Sequence, residues 1–176
     1  MPQEVATLFL EFSRKKLLGQ YWPRLREVVG PLTDEQIWWR PNEASNSIGN
    51  LLLHLNGNVY QWLVASFGHL DDRRNRPAEF REREGIAAAE LLSRLGATLE
   101  QAEEVLARLT AEELAAPMEI QGYHVTGLDA VYQVVEHFGL HYGQILYIVK
   151  TLTGADLKLY RELNAAGRSD SSAPHP

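Results

Sequence analysis

Apolar residues recur at spacings of three and four through four long stretches of this chain, and that periodicity confines it to a helical architecture. The first stretch, residues 4 to about 29, runs through Val5, Leu8, Phe12, Leu17, Tyr21, Leu25 and Val28. The second, about 48 to 67, carries Leu51, Leu55, Val59, Trp62 and Leu63, and the third, about 86 to 109, carries Leu91, Leu95, Leu99, Ala102 and Leu106. The fourth, about 127 to 152, includes Val131, Val134, Phe138 and Ile145. Helices of this kind bury their apolar stripes against one another, so the expected fold is all-α, a four-helix bundle. Connections of roughly 17 to 20 residues join the first helix to the second and the second to the third. That exceeds the usual bundle loop, and long loops at bundle ends are where a site mouth is built.

Local signals mark the boundaries. Pro23 lies inside the first helix and is expected to bend or break it, because it offers no N–H to the carbonyl four residues back. Thr33 with Gln36, and Thr110 with Glu113, have the form of capping boxes that open short helices. Ser47 caps the second long helix, which Gly68 is expected to end, and Thr126 with Asp129 caps the fourth. Residues 117–125 read as extended, with a small hairpin about Gly122. Residues 69–85 alternate Arg73, Arg74, Arg76, Arg81 and Arg83 with Asp71, Asp72, Glu79, Glu82 and Glu84, which reads as a solvated, salt-bridged loop. Residues 1–160 are expected to form one domain. The Ser-, Ala-, Gly- and Pro-rich tail, 161–176, has the composition of a disordered segment.

Composition excludes several function classes. The net charge of −6 argues against a nucleic-acid partner, which needs clustered cations. No apolar run approaches the ~20 residues that span a bilayer, and the N-terminus lacks a basic-then-apolar leader, so no membrane association and a cytoplasmic location are expected. The chain has no cysteine, which removes disulfides, thiolate metal sites and a cysteine nucleophile; any thiol chemistry needs a thiol from outside.

Histidine supplies the chemistry instead. His137 and His141 lie one turn apart on the same face of the fourth helix and can share a metal ion. His54 sits on the second helix in an uncharged polar stripe, Asn50, His54, Asn58 and Gln61, on an otherwise apolar element. Three imidazoles from two facing helices leave open positions on a metal, which distinguishes a catalytic site from a closed structural one. Nickel, zinc and ferrous iron all accept this donor set. Asn50, Asn58, Gln61, Gln133 and Gln144 are placed to orient the imidazoles or to line a substrate pocket. Glu136 projects about 100° from His137 on the helical wheel and does not share its face. No residue stands out as a general base, Glu136 and Asp72 being the nearest to one. Trp38, Trp39 and Trp62 are expected to pack at a helix crossing rather than to form a substrate wall.

Four segments carry a family resemblance: Trp38-Trp39-Arg40-Pro41-Asn42, Ser47-Ile-Gly-Asn-Leu-Leu-Leu-His54, Arg74-Asn-Arg-Pro-Ala-Glu-Phe80, and Val135-Glu-His-Phe-Gly-Leu-His-Tyr-Gly-Gln144. Over roughly residues 5 to 155 the chain resembles the DinB/YfiT-like superfamily. The resemblance implies one divalent ion held by His54, His137 and His141, a small-molecule substrate and a homodimer. It also implies a metalloenzyme, either a transferase using a low-molecular-weight thiol as cosubstrate or a metal-dependent hydrolase. In the thiol version, Arg40 or an arginine of residues 73–76 holds the thiol's carboxylates. A non-catalytic metal- or ligand-binding bundle with a stress-related role is the alternative.

Overall fold

The computed structural model describes residues 2–159. The tail from residue 161, with His175, lies outside them. In chain order the elements are α1 (residues 3–29), α2 (Asp34–Trp38), α3 (residues 48–68), α4 (Arg76–Arg81), α5 (Ala88–Arg108), α6 (Ala111–Ala115), β1 (Pro117–Ile120), β2 (Tyr123–Thr126) and α7 (Gly127–Thr153). The long helices α1 and α3 each pack against α5 and α7, so the four form a ring around one core, as the periodicity predicts. That core is mostly aliphatic, with Leu17, Leu25, Leu51, Leu55, Leu95 and Leu99 fully buried beside the aromatic Phe138.

Four capping boxes fix where elements begin: Thr33 with Gln36, Ser47 with Asn50, Thr110 with Glu113 and Thr126 with Asp129. In each, one side chain satisfies a helix N–H and the other returns to the cap N–H, so two otherwise orphaned donors are paired. At the other end of α3 the left-handed residue is His69, φ 52°, one position beyond the expected Gly68. Gly154, φ 65°, closes α7.

Pro23 does not break α1. The run Lys15–Tyr21 before it widens to π geometry, and Pro23 then sits in the first turn of the α-helical run Trp22–Val29. In an unbroken α-helix the proline ring would collide with the carbonyl of Gly19, four residues back. Gly19 lies within the widened run, which relieves that collision and lets the helix continue. A second π run, Tyr60–Ala65, occurs in α3 and brings both Gln61 and Trp62 to buried positions.

The expected extended segment pairs as a hairpin, Pro117 opposite Thr126 through Ile120 opposite Tyr123. Gln121 (φ 55°) and Gly122 (φ 78°) form its two-residue turn, both left-handed, the backbone that matches the twist of paired strands.

Candidate metal centre

His54 on α3 and His137 and His141 on α7 converge. One ligand nitrogen from each lies within 4.8 Å of the other two, forming the one three-residue cluster of this kind among the described residues. His54 is buried, while His137 and His141 are half-buried. His54 Nε2 is 2.9 Å from His137 Nε2, although the two residues are 83 positions apart in the chain. The imidazole rings meet edge to face, with centroids 4.4 Å apart for His137–His141 and 5.0 Å for His54–His141.

Partners on the outer nitrogens orient the rings. His54 Nδ1 is 2.8 Å from Glu79 Oε2, so its proton is assigned there and donated to the carboxylate. His141 Nδ1 donates to Gln144 Oε1 at 2.7 Å. The Nε2 of each ring is then left as a lone-pair donor on the inner side. Two such lone pairs facing one another at the His54–His137 separation repel, unless a proton or a shared cation lies between them. Burial, then the positive charge that His141 and His54 would carry, pushes His137 down to about 3. Burial also lowers His141, against the opposing effect of the Gln144 hydrogen bond. Neutral imidazole nitrogens collected at one point, one of them backed by a carboxylate, form a donor set that fits a divalent cation.

The largest departure from the sequence reading is in residues 69–85. They are not a solvated loop throughout. Asn75 caps α4, and Arg74 and Glu79 fold inward beneath His54 with side-chain exposures of 3% and 11%. Arg74 Nε donates to Glu79 Oε1 at 2.7 Å, and Nη2 donates to Oε2 at 2.9 Å, making a two-pronged pair. Its Nη1 reaches Gln61 Oε1 at 2.9 Å. Burial works to raise the Glu79 carboxyl, but the hydrogen bonds from His54 and Arg74 and the Arg74 charge overcome it and hold it below the usual range. Phe80 covers His54, with ring centroids 4.7 Å apart, and Arg76 stacks over Phe80.

Gly57 is what admits this pair. A Cβ there would collide with Glu79 Oε1 and lie 2.7 Å from Arg74 Nε, so a bare stretch of α3 backbone is required. Gly57→Ala is expected to displace the pair and lower metal affinity about 10- to 100-fold, the usual effect of losing a ligand's outer partner. Competition against a chelating dye measures it, with an unchanged far-ultraviolet circular dichroism spectrum as the control.

A cleft of about 600 Å³ opens over His54 and His137. Asn58, Trp62, Arg74, Gln133 and Asp129 line it from the helical side with Arg76, and Gln121, Tyr123 and Val125 line it from the hairpin. Trp62 packs in the core, as expected, and also borders the cleft, while Trp38 packs on Gly49 and donates to Ile86 O at 3.0 Å. Of the other expected pocket residues, Asn58 and Gln133 face the cleft. Gln61 lies beneath it, bonded to Arg74, Asp72 and Gln121. Gln144 is on the far side of His141, along a separate groove with Trp39, Leu140 and Tyr147. Asn50 is fully buried and occupied by the Ser47 cap, by Arg40 and by the carbonyls of Glu79 and Glu82, so it anchors α4 rather than lining a pocket. Arg40 bonds Asn50 and is absent from the cleft lining, as are Glu136 and Asp72.

The lowered His137 sets a pH dependence for the metal-free protein. Between about pH 3 and the ordinary imidazole range near 6.5 the unfolded chain binds a proton that the folded chain refuses. Stability from the neutral ring is complete above that range and is lost as pH falls through it. Glu79, lowered in the fold, adds a loss of the same sign at still lower pH. The melting temperature is expected to be level above pH 7 and to fall from about pH 6.5 downward. A shallower fall in His137→Asn would identify the ring responsible, and an equal fall would reject it.

Comparison with known proteins agrees with this fold. A sequence profile of the DinB superfamily matches residues 17–145. The fold is similar to that of a conserved protein from Enterococcus faecalis, with TM-score 0.65 at 15% identity over 86% of this chain and 97% of that one. It is also similar to a DinB-like protein from Bacillus cereus ATCC 10987, with TM-score 0.62 at 14% identity over 79% of this chain and 89% of that one. No curated protein matches the sequence. No helix among the described residues is long and apolar enough to cross a membrane.

Proposed function

The chain belongs to the DinB superfamily, and from that premise we propose that it is a metal-dependent enzyme in which His54, His137 and His141 hold one divalent ion, nickel, zinc or iron, at the floor of an open cleft. The observation that carries this reading is the convergence of the three histidines beside the cleft, with Glu79 and Arg74 bracing His54 from behind. An ion bound there lowers the pKa of a thiol or water that it holds, to about 7 in the case of water. The protein's own residues do the rest. Glu79 holds the His54 proton on Nδ1, which leaves Nε2 to face the cluster, and burial favours the uncharged form of His137 and His141. Phe80 shields His54 from solvent.

The cleft favours a thiol over water as the activated group. Asp129 is the one carboxylate in its lining, and Asp129 Oδ2 already accepts from the N–H and hydroxyl of Thr126. Glu79 is committed to Arg74 and His54. In the cleft lining that leaves the second oxygen of Asp129, about two turns before His137 on α7, as the remaining carboxylate oxygen able to take a proton. A thiol, with an ordinary pKa near 8.5, needs far less help than water to lose its proton. Arg74 is fully engaged with Glu79 and Gln61, so the anionic part of the thiol falls to Arg76, which is exposed at the cleft. A homodimer belongs to the same proposal: Leu140 and Tyr147 stand exposed on α7 beside Trp39.

Untagged protein is expected to carry close to one equivalent of metal by elemental analysis. With low-molecular-weight thiols and a generic electrophile, it should consume thiol only while the metal is present. Metal-dependent ester hydrolysis without thiol would instead assign a hydrolase. Stoichiometric metal with neither reaction would assign a non-catalytic binding bundle.

A further inference from the structure

Three buried polar atoms in the cleft wall have no partner within the protein: Asn58 Oδ1, Gln133 Oε1 and Trp62 Nε1. Asn58 and Trp62 are 4% and 5% exposed. Unpaired groups this deep are rare in folded proteins, because each forfeits its hydration for nothing. The neighbouring amide shows the contrast, since Gln61 on the same helix is fully paired to Arg74, Asp72 and Gln121. The three orphans are confined to the open side of the histidine cluster.

Their arrangement is ordered. Asn58 follows His54 by one turn on α3, and Gln133 precedes His137 by one turn on α7. They therefore form the next layer of the cleft, roughly 6 Å from the histidines at the rise of one helical turn. Two carbonyl oxygens and one indole N–H suit a secondary amide whose single N–H is shared between the two carbonyls. Its N–H points to the carbonyls, and its C=O accepts from Trp62. A carboxylate would oppose both carbonyls, and an ammonium group would leave Trp62 Nε1 unpaired.

We propose that Asn58, Gln133 and Trp62 form a subsite for a secondary amide, so that the ligand is a peptide-like compound with its amide two or three bonds from the atom that meets the histidines. This rests on the proposed metal site. Binding alone reads it out, using cobalt(II)-substituted protein and a matched pair of thiols. N-acetylcysteamine and 2-mercaptoethyl acetate differ only in having an amide N–H or an ester oxygen, and both retain the carbonyl. Titration of the thiolate-to-cobalt absorption band, corrected for thiolate fraction, gives each dissociation constant.

The amide is expected to bind about tenfold tighter than the ester, as a hydrogen bond to a buried acceptor allows. That ratio should fall in Asn58→Leu and in Gln133→Leu and approach one in the double variant, each still showing the cobalt d–d spectrum of an intact triad. Trp62→Phe should weaken both thiols equally, because both present the carbonyl. Equal binding of the pair to the unmodified chain, or an unchanged ratio in the two Leu variants, overturns the subsite while leaving the metal site standing. A cobalt-loaded protein with no thiolate band for either compound removes the thiol reading and the subsite together.

Discussion

The His54→Ala protein is expected to purify without stoichiometric metal and without activity, and His137→Ala and His141→Ala should behave alike. Each ring supplies one of the three inner nitrogens, which lie within 4.8 Å of one another. Losing a ligand costs more than the ~10- to 100-fold typical of losing its outer partner, so micromolar chelator should strip what remains. The fold should survive. His137 and His141 are only half-buried, and His54 leaves a gap beside Phe80 rather than inside the aliphatic core. Elemental analysis beside circular dichroism separates the outcomes, and a folded His54→Ala protein holding a full equivalent of metal would overturn the three-histidine assignment.

Arg74→Met is expected to be the most destabilising single change near the site. It leaves the Glu79 carboxylate buried with only His54 for company, and an uncompensated buried charge costs roughly 3–5 kcal/mol. For a chain of this size that lowers the melting temperature by about 10 °C. The double variant Arg74→Met/Glu79→Gln removes both charges and should recover much of that loss, because a neutral pair no longer needs its partner. Metal affinity should not recover, since an amide at that position holds the His54 proton less firmly than the carboxylate does. Thermal melts and chelator competition on the same samples separate the two effects. A double variant as unstable as Arg74→Met would show that packing, not charge, governs this corner.

The bundle and its caps were legible because their signals are local. Thr126 and Asp129 are three residues apart, and the box they form concerns their own backbone alone. His54, His137 and His141 were legible as well, since each lies on a strongly periodic helix that fixes its face. Arg74 and Glu79 were not. In a run of alternating charges each residue has many possible partners, and nothing local marks the two that turn inward. The signal lay elsewhere, at Gly57, a glycine in mid-helix one turn beyond His54 whose missing side chain makes room for them. The orphaned oxygens of Asn58 and Gln133 were visible as residue types but not as unpaired atoms, because satisfaction is decided by the whole neighbourhood. The π runs escaped because hydrophobic spacing alone does not distinguish one widened turn from an α-helix.

Within the cleft, the residues most free to vary are not those that hold the histidines. Gln121, Tyr123 and Val125 come from two four-residue strands joined by a two-residue turn, and Tyr123 is mostly exposed. The histidines stand on α3 and α7, which are packed into the core. Mutations in the hairpin therefore change what the cleft admits at little expense to folding, whereas mutations beneath the histidines unsettle the whole bundle. One wall of the cleft is thus a light segment of about ten residues that can be rebuilt without moving the helices that carry the three histidines.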